Sequence, residues 1–463
     1  MTGAFIGRDR ELAALAEAYA APRSAFWPIY GRRRVGKTEL IKRFLTGRPG
    51  LYFLGKQAPA PMQLREFLGA ASSALGEPLL ATQAVDGWQQ ALAQVVDRWR
   101  GPDKLVVALD EFQWTVSASP ELPSVLQSLW DGSWGAADRV FLIVCGSFVG
   151  FMEREVLGRA SPLYGRRTGQ IHLKPFSYRE SAEFHPGYSL PDRALTYFVC
   201  GGMPLYLRAF ADRVSVEDNI AAQLLDPYAP LHREPDFLLR EELREVERYF
   251  GILLAIATGD AMLPAIASRT GIEVRQLGYY LHQLLELGYV YKRQPLAPGG
   301  RRRRAVRYVL GDSLLRFWFH FLFPQLSAIT RLGPRRALRE LIRPGLPAYW
   351  GRCFEGLCRE ALPGLLAREG ATGGVTVGEY WDTATQVDIV GLRDDGRIEL
   401  GECKWGTVRS SRAVLAELAG KAEAYPNPAN ASVGLRIFTR SSVHPAASEK
   451  FPVTWTSLAD LYA

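Results

Sequence analysis

The eight residues from Gly31 to Thr38, GRRRVGKT, fit the spacing GxxxxGK[ST] of a phosphate-binding loop. The glycines allow the sharp turn that points successive backbone N–H groups at phosphate oxygens. Lys37 would reach the β- and γ-phosphates of a nucleotide, and the Thr38 hydroxyl would bind Mg²⁺. The pattern therefore predicts a site for ATP and Mg²⁺. The contacts expected from this segment are Gly31, Arg34, Val35, Gly36, Lys37, Thr38 and Glu39.

A nucleotide-bound metal needs a second acidic group, and the apolar run 105–109 ends in Asp110 and Glu111. Asp110 would hold Mg²⁺ through water, and Glu111 would polarise the attacking water. Neighbouring residues on a strand point to opposite faces, but the chain can turn at a strand end and aim both at one site. Beside the phosphate-binding loop, this role is favoured over a pair of solvated carboxylates.

Three further residues could act on the γ-phosphate. Ser147 follows the apolar run 140–146 and could contact that phosphate, although a simple turn at a strand end fits equally well. Arg166 and Arg167, in SPLYGRR, could supply an arginine finger that stabilises developing negative charge. Their spacing alone favours a solvated loop.

A second group of residues with catalytic potential lies near the end of the chain. Asp388 stands in the run QVDIVGL, and the turn RDDG leads into IELGECKW, where Glu402 and Lys404 are two residues apart. Asp-Asp-Gly between alternating strands predicts a hairpin, and the two-residue spacing puts Glu402 and Lys404 on one face. Two carboxylates can hold divalent cations that polarise a phosphodiester, and a lysine can stabilise the developing charge. Glu355, on a preceding helix, could complete the metal shell. A surface ion pair on an ordinary hairpin is the alternative.

The elements that would position these groups can be read from the apolar runs. Runs at 25–30, 104–109 and 140–146 alternate with helical segments, which predicts a parallel sheet covered on both faces. The pattern becomes helical from about residue 175. Strand-like segments return at 386–392, 397–404 and 433–439.

Residues 262–290 predict a helix, a turn at Gly271 and a second helix. One side of the second helix carries Leu277, Leu281, Leu284 and Leu285, and the other carries Arg275, Gln276, Tyr279 and Gln283. This layout is typical of a helix-turn-helix whose second helix can enter a major groove.

Residues 291–308 predict a hairpin wing. Between 292 and 307 the wing has no acidic residue, and its basic residues are Lys292, Arg293, Arg301, Arg302, Arg303, Arg304 and Arg307. Such a density of charge would bind phosphates in a salt-sensitive manner, which favours DNA contact over a module that serves only in packing.

Residues 5–320 resemble the archaeal-type AAA-like ATPases, which are related to the STAND signalling NTPases. The shared segments are FIGR (5–8), GRRRVGKT (31–38), LDEFQW (109–114), CGSF (145–148), SPLYGRR (161–167) and GGMPLY (201–206). The resemblance implies that the segment containing Ile6 approaches the adenine. It also implies that Gly202 and Pro204 belong to a helical lid beside the nucleotide.

Residues 340–463 resemble the restriction-endonuclease-like PD-(D/E)XK fold, in the version appended to the same ATPases. The shared block is EYWD…VDIV…GECKW. The resemblance implies catalytic roles for Asp388, Glu402 and Lys404, with Glu355 in support. It also implies that Asp388, Glu402 and Glu355 hold Mg²⁺ or Mn²⁺.

Together these features predict an α/β chain of four parts. They are a P-loop ATPase core (1–172), a helical lid (173–237), a winged-helix domain (238–325) and a basic connector with an α/β nuclease-like domain (326–463). The net charge of 56 − 48 = +8 permits a polyanionic partner, and an apolar fraction of 48% excludes wholesale disorder. The most apolar stretch, 314–326, is too short to span a bilayer, so we expect a cytoplasmic protein without a membrane partner.

The expected function is ATP-dependent DNA processing, in which an ATPase is coupled to a DNA-binding winged helix and a metal-dependent nuclease. One alternative is a nucleotide-switched regulator whose C-terminal domain binds nucleic acid or a partner without cleaving it. Another is a signalling ATPase that acts on proteins alone. Homo-oligomer formation, the nucleic-acid substrate and the pathway stay open.

Overall fold

The computed structural model describes residues 5–301 and 306–463, apart from the side chains of residues 300 and 301. The chain folds into two compact units. The first runs to Pro175 and includes Met203–Leu205, and the second comprises Phe176–Gly202 and Tyr206–Ala463. Of the predicted basic run, Arg301 lies in a strand without a described side chain. Arg302, Arg303 and Arg304 lie outside the described residues.

A five-stranded parallel sheet forms the centre of the first unit. Its strands are β1 (Ala25–Tyr30), β2 (Gly50–Leu54), β3 (Leu105–Asp110), β4 (Val140–Gly146) and β5 (Ile171–His172). They are arranged in the order β2-β3-β4-β1-β5. Every residue of β3 and β4 is buried, as expected for central strands covered on both faces. The three predicted strands of this sheet are confirmed, whereas β2 and β5 were not predicted.

Helices cover the first sheet and close its core. They are α1 (Asp9–Ala20), α2 (Lys37–Leu45), α3 (Ala60–Leu75), α4 (Leu79–Thr82), α5 (Trp88–Arg98), α6 (Phe112–Ala118), α7 (Leu122–Leu129) and α8 (Val149–Met152). Phe67 and Trp88 pack edge to face in this core, with ring centroids 5.3 Å apart. Such aromatic packing anchors α3 and α5.

Helices then dominate the chain as far as residue 368. They are α9 (Tyr178–Ala182), α10 (Leu190–Cys200), α11 (Pro204–Ala209), α12 (Val216–Ile220), α13 (Glu234–Glu242), α14 (Val246–Thr258), α15 (Leu263–Thr270), α16 (Val274–Glu286), α17 (Ser313–Phe317), α18 (Leu326–Leu332), α19 (Pro334–Ala337) and α20 (Leu346–Arg368). Single π-helical or 3₁₀ turns span Trp130–Trp134, Glu153–Leu157, Ala221–Leu225, Trp318–Leu322, Phe323–Gln325, Leu338–Ile342 and Arg343–Gly345.

Two small antiparallel pairs follow α16. Strand β6 (Val290–Arg293) pairs with β9 (Arg307–Leu310), and β7 (Leu296–Ala297) pairs with β8 (Gly300–Arg301). The hairpin predicted for this stretch is therefore present.

A second five-stranded sheet lies at the C-terminal end of the chain. Its strands are β10 (Val375–Trp381), β11 (Gln386–Arg393), β12 (Ile398–Lys404), β13 (Val433–Thr439) and β14 (Val453–Ser457), paired in that order. The first two pairings are antiparallel and the last two are parallel. Helix α21 (Ser411–Ala424) connects β12 to β13, as a parallel crossover requires, and α22 (Leu458–Tyr462) ends the chain. The predicted hairpin of β11 and β12 and the predicted strand β13 are confirmed.

Within the described ranges, no helix combines the length and apolarity that crossing a membrane would require.

Candidate functional site

The phosphate-binding loop connects β1 to α2. Gly31 has a backbone φ of 152°, and a Cβ atom there would lie 2.2 Å from the carbonyl oxygen of Leu173. Gly36, with φ 96°, directly precedes the first residue of α2. Residues with side chains avoid these positions, so the loop requires glycine at both ends. Arg34 also has a positive φ of 68°, and such backbone strain is common at ligand-binding loops.

Lys37 is held inside this loop. Its side chain is buried, and Nζ donates hydrogen bonds to the carbonyl oxygens of Gly31 at 2.8 Å and Arg32 at 3.0 Å. The ammonium group therefore lies within the same turn whose N–H groups form the predicted cradle. From this position it can bind a phosphate held by the loop. Val35 is fully buried, whereas Glu39 is exposed in the first turn of α2.

Asp110 ends β3 with no exposed surface. Its Oδ2 accepts hydrogen bonds from Thr38 Oγ1 and from the Tyr52 hydroxyl, both at 2.7 Å. Burial, and then the charge of Asp110, raise the pKa of Tyr52, so the phenol stays a donor. A threonine hydroxyl and an aspartate carboxylate are ligands that Mg²⁺ prefers, so this pair fits the cation. Sequence reasoning missed Tyr52 because its strand, β2, was not predicted.

Glu111 turns away from the strand in the left-handed region, with φ 49° and ψ 44°. Its Oε2 accepts hydrogen bonds from Ser147 Oγ at 2.9 Å and from Gln113 Nε2. Gln113 Nε2 also lies 3.1 Å from Ser147 Oγ. The turn at the strand end thus brings Glu111 and Ser147 into one hydrogen-bonded cluster. Sequence reasoning missed Gln113, although it lies only two residues after Glu111.

Arg8 supports the loop from the N-terminal side. Its Nη2 donates to the carbonyl oxygens of Val35 at 3.2 Å and Lys174 at 2.7 Å. Ile6, two residues earlier, is partly buried. Pro204 Cγ lies 3.7 Å from where a Cβ on Gly36 would be, which places this predicted residue against the loop.

The two candidate finger arginines have different surroundings. Arg166 donates two hydrogen bonds to the carboxylate of Asp131, from Nε at 2.8 Å and from Nη2 at 2.6 Å. Arg167 is exposed. Burial raises the pKa of Tyr30, and the positive charge of Arg167 acts against that shift, so Arg167 lies near the end of β1.

One of the C-terminal carboxylates, Asp388, lies beside an irregularity in the second sheet. The pairing of β10 with β11 shifts register between Gly378 and Tyr380, and Asp388 lies in the stretch of β11 opposite this bulge. Bulges re-aim side chains and are common beside active sites. Asp388 Oδ2 accepts a hydrogen bond from the backbone N–H of Cys403 on β12 at 3.0 Å. Arg359 of α20 donates to the carbonyl oxygen of Asp388 at 2.6 Å.

Glu402 is buried between two lysines. Its Oε1 accepts a hydrogen bond from Lys404 Nζ at 2.8 Å, and its Oε2 accepts one from Lys421 Nζ at 2.7 Å. Glu417 of α21 pairs with both lysines, at 3.3 Å and 2.9 Å. The shared face of Glu402 and Lys404 is confirmed. Lys421 was missed because nothing in the local pattern links α21 to the hairpin.

The three predicted carboxylates influence one another. Burial, and then the charge of Asp388, raise the pKa of Glu355. Burial, and then the charge of Glu402, raise the pKa of Asp388. A divalent cation would relieve this repulsion, so the donor chemistry fits such an ion.

The predicted three-carboxylate metal site is nevertheless not assembled. In the part of the chain that the structure describes, no three His, Cys, Asp or Glu side chains are grouped to hold a metal ion. Glu402 is bound by the lysines of β12 and α21, whereas Glu355 approaches from α20.

Glu355→Gln is expected to stabilise the protein at about pH 8 by ~1–3 kcal/mol. The folded state raises the pKa of Glu355 above its usual 4.5, so folding favours the protonated carboxyl. That contribution is complete below about pH 4.5 and is lost as the pH rises through the raised pKa. Chemical denaturation at about pH 5 and pH 8 should therefore show a higher free energy of unfolding for the variant than for the wild type, mainly at pH 8. An equal change at both pH values would contradict the buried-carboxyl explanation.

Comparison with known proteins finds similarity to an ATPase domain over the region that contains the phosphate-binding loop. Residues 5–210 match an ATPase domain found predominantly in Archaea, and residues 318–414 match a family of archaeal and bacterial proteins of unknown function. The chain contains an archaeal-type P-loop ATPase domain. ATP is therefore the nucleotide expected at the loop.

Similarity to individual known proteins extends beyond that domain. An uncharacterised protein of Methanocaldococcus jannaschii is 28% identical over 405 residues, which cover 87% of each chain. A Walker-type ATPase of Pyrococcus abyssi shares the fold, with a TM-score of 0.51 and 20% identity over 68% of this chain and 96% of that one. The Aeropyrum pernix ORC2 protein, solved with ADPNP and ADP, has a TM-score of 0.43 and 17% identity over 73% of this chain and 96% of that one.

The helix pair of the ATPase's second unit has the predicted polarity. Leu277, Leu281 and Leu284 of α16 are buried, while Leu285 is partly buried. Arg275, Gln276 and Tyr279 are exposed on its other side, and 60% of Tyr279 is accessible to solvent.

The hairpin after α16 differs from a free basic wing. Leu296 and Ala297 belong to the same apolar core as Val387 and Tyr425, and the Tyr425 hydroxyl donates to the carbonyl oxygen of Leu296 at 3.0 Å. Two of the predicted wing arginines also point inwards. Arg293 pairs with Glu379 at 3.3 Å, and the Arg307 guanidinium lies 4.2 Å from the centre of the Trp381 ring. Arg293 and Arg307 therefore contact Glu379 and Trp381 instead of extending freely into solvent, because apolar burial holds the strands against the second sheet.

Proposed function

We propose that the protein is an ATP-dependent DNA-processing enzyme in which ATP binding and hydrolysis control a metal-dependent nuclease site. The observation that carries this proposal is the buried cluster of Asp388 and Glu402 with Lys404 and Lys421. Burying a carboxylate costs desolvation free energy unless an opposite charge or hydrogen bonds compensate it. Here Asp388 lies opposite a β-bulge, and bulges are common beside active sites.

At the nucleotide site, each residue has one role. The N–H groups of residues 31–38 and the Lys37 ammonium bind the phosphates of ATP. Thr38 and Asp110 would hold Mg²⁺, which neutralises charge on the phosphates. Glu111 orients and polarises the attacking water, and Ser147 positions the Glu111 carboxylate through their 2.9 Å hydrogen bond.

Arg167→Ala is expected to lower the rate of ATP hydrolysis at least about tenfold, whereas Arg166→Ala leaves it within about twofold. Both ends of the Arg166 guanidinium already donate to the carboxylate of Asp131. Arg167 is exposed, so its guanidinium can contact a phosphate. Steady-state phosphate release by both variants tests the assignment. A larger loss in Arg166→Ala would transfer the role to that residue.

At the second site, Asp388 and Glu402 would hold a divalent cation, with Glu355 in support. When bound, such a cation polarises the scissile phosphate and lowers the pKa of water. Lys404 and Lys421 keep two positive charges beside the carboxylates, where they stabilise charge that develops on the phosphodiester. Arg275, Gln276 and Tyr279 of α16, together with Arg301–Arg304, bind the nucleic acid.

The test uses the full chain with plasmid, linear and single-stranded DNA, in Mg²⁺ or Mn²⁺, with and without ATP. We expect degradation that depends on the divalent cation and changes in rate when ATP is added. The proposal fails if all three DNA forms stay intact under every condition while ATP hydrolysis proceeds.

A nucleotide-switched regulator is the second candidate, and one observation favours it. Glu402 is already neutralised by two lysines, so the cluster can be stable as a structural ion-pair network without a metal. This candidate predicts that ATP changes the affinity for DNA, measured by fluorescence anisotropy, with no cleavage in Mg²⁺ or Mn²⁺. A protein that shows no salt-dependent DNA binding at all would instead be an ATPase that acts on proteins alone.

A further inference from the structure

A cavity of about 250 Å³ lies within the second unit, between the hairpin after α16 and helix α20. Its wall contains four arginines and two glutamates, namely Arg293, Arg307, Arg316, Arg352, Glu355 and Glu379. Glu355 also neighbours Asp388, so this glutamate lies between the cavity and the cluster of Asp388, Glu402, Lys404 and Lys421.

The positive charges of this wall are only partly compensated. Glu379 pairs with Arg293 at 3.3 Å, and both glutamates also lie within 3.7 Å of Arg359. Among the residues the structure describes, Arg307, Arg316 and Arg352 have no ion pair with a carboxylate. Four arginines thus face one small space with only two glutamates, so its wall carries an excess of positive charge.

Neutral groups hold these three guanidiniums in place. Arg307 stacks on Trp381, and Arg316 Nε donates to the Tyr349 hydroxyl at 3.3 Å. Arg352 Nη2 lies 3.5 Å from His320 Nε2. The other ring nitrogen of His320 lies 2.8 Å from a carbonyl oxygen, which can only accept, so Nε2 is left as an acceptor for Arg352. Their positions are therefore set before any ligand arrives.

Such a wall selects a phosphate. An excess of positive charge along a partly buried wall attracts an anionic ligand. The planar fork of arginine matches phosphate oxygens in pairs. The cavity is smaller than the ~300–1,000 Å³ of sites for drug-sized ligands, so it suits a phosphate with its sugar rather than a duplex.

We propose that this cavity binds the terminal phosphate of a nucleic-acid strand, whose next nucleotides pass Glu355 towards Asp388. The proposal rests on the proposed function, because it assumes that the Asp388 cluster acts on nucleic acid. Binding of the terminal phosphate would fix the distance from the strand end to the phosphodiester at Asp388. The substrate class is therefore single strands or frayed ends that carry a terminal phosphate.

The test is fluorescence anisotropy of the full chain in EDTA, which stops metal-dependent cleavage. The probes are labelled oligonucleotides of one sequence whose unlabelled end carries either a phosphate or a hydroxyl, with 5′ and 3′ ends tested separately. We expect one phosphorylated end to bind about tenfold more tightly than its hydroxyl counterpart. Arg307→Gln and Arg352→Gln should reduce that preference to about twofold or less, while Arg352→Lys should retain part of it.

The control is Arg335→Gln, which removes one exposed positive charge away from the cavity and should leave the preference unchanged. Arg352 is exposed, so its variants are expected to fold, and thermal unfolding verifies this. Equal binding of phosphorylated and hydroxyl ends by the wild type would overturn the proposal. So would a preference that survives both glutamine variants.

Free AMP distinguishes a strand end from a mononucleotide. Displacement of the phosphorylated oligonucleotide by AMP at equal concentration would show that the cavity binds free nucleotide, which also overturns the strand-end proposal.

The cleavage assay tests the proposed nuclease separately from the cavity. Intact DNA in Mg²⁺ and Mn²⁺ with a persistent phosphate preference would refute the nuclease alone, and cleavage without that preference would refute the cavity alone.

Discussion

Lys37→Ala is expected to reduce ATP hydrolysis by about 100-fold or more, the loss typical when one preorganised group that stabilises developing charge is removed. Lys37 is buried in the loop, with its ammonium 2.8 Å and 3.0 Å from two loop carbonyl oxygens. No neighbouring lysine could replace it, because Lys42 lies one turn further along α2 and over the Tyr52 ring. Phosphate release under saturating ATP measures the effect.

The matched control is Arg43→Ala, which removes a positive charge from an exposed position of the same helix. It should hydrolyse ATP at nearly the wild-type rate. If Lys37→Ala and Arg43→Ala behave alike, the loop does not act as a catalytic phosphate site. Binding of a fluorescent ATP analogue then shows whether the nucleotide is bound without hydrolysis.

Asp388→Asn is expected to abolish metal-dependent DNA degradation, by about 100-fold or more, while ATP hydrolysis continues. The amide keeps the size of the side chain and can still accept the hydrogen bond from the Cys403 N–H, but it brings no negative charge to a cation. Gel analysis of linear DNA in Mn²⁺ gives the rate. Lys404→Ala should show a comparable loss, because its ammonium is the positive charge nearest Glu402 on the same strand.

Glu449→Gln serves as the control for charge, since Glu449 is exposed outside the sheet. Degradation that persists unchanged in both Asp388→Asn and Lys404→Ala would end the nuclease proposal and favour the regulator. A loss in Glu449→Gln as large as in Asp388→Asn would show that the assay reports net charge rather than the site.

The contrast between β3 and β2 shows which strands a local sequence pattern can predict. Strand β3 is an uninterrupted apolar run buried on both faces, so its sequence predicts both the strand and the carboxylate at its end. Strand β2 is short and partly exposed, and it carries no such signal. Tyr52 donates to Asp110 at the same 2.7 Å distance as Thr38, but only the pairing of β2 with β3 brings it there.

In the C-terminal sheet, too, contacts between residues close in the chain were predicted and a long-range contact was not. The Asp-Asp-Gly turn and the two-residue spacing predicted the hairpin and the shared face of Glu402 and Lys404, because both follow from the geometry of neighbouring residues. Lys421 reaches Glu402 from α21, across a crossover that no short-range pattern describes.

By itself, the sequence determined the phosphate-binding loop, the acidic end of β3, the C-terminal hairpin and the polarity of α16, since each depends on residues close in the chain. Only the tertiary structure decided which charges are free. Packing of Leu296 and Ala297 into the second sheet turned Arg293 and Arg307 inwards, and the bulge opposite Asp388 aimed that carboxylate at β12. Burial and long-range pairing control both outcomes, because the free energy of a charge depends on neighbours that the chain brings together only on folding.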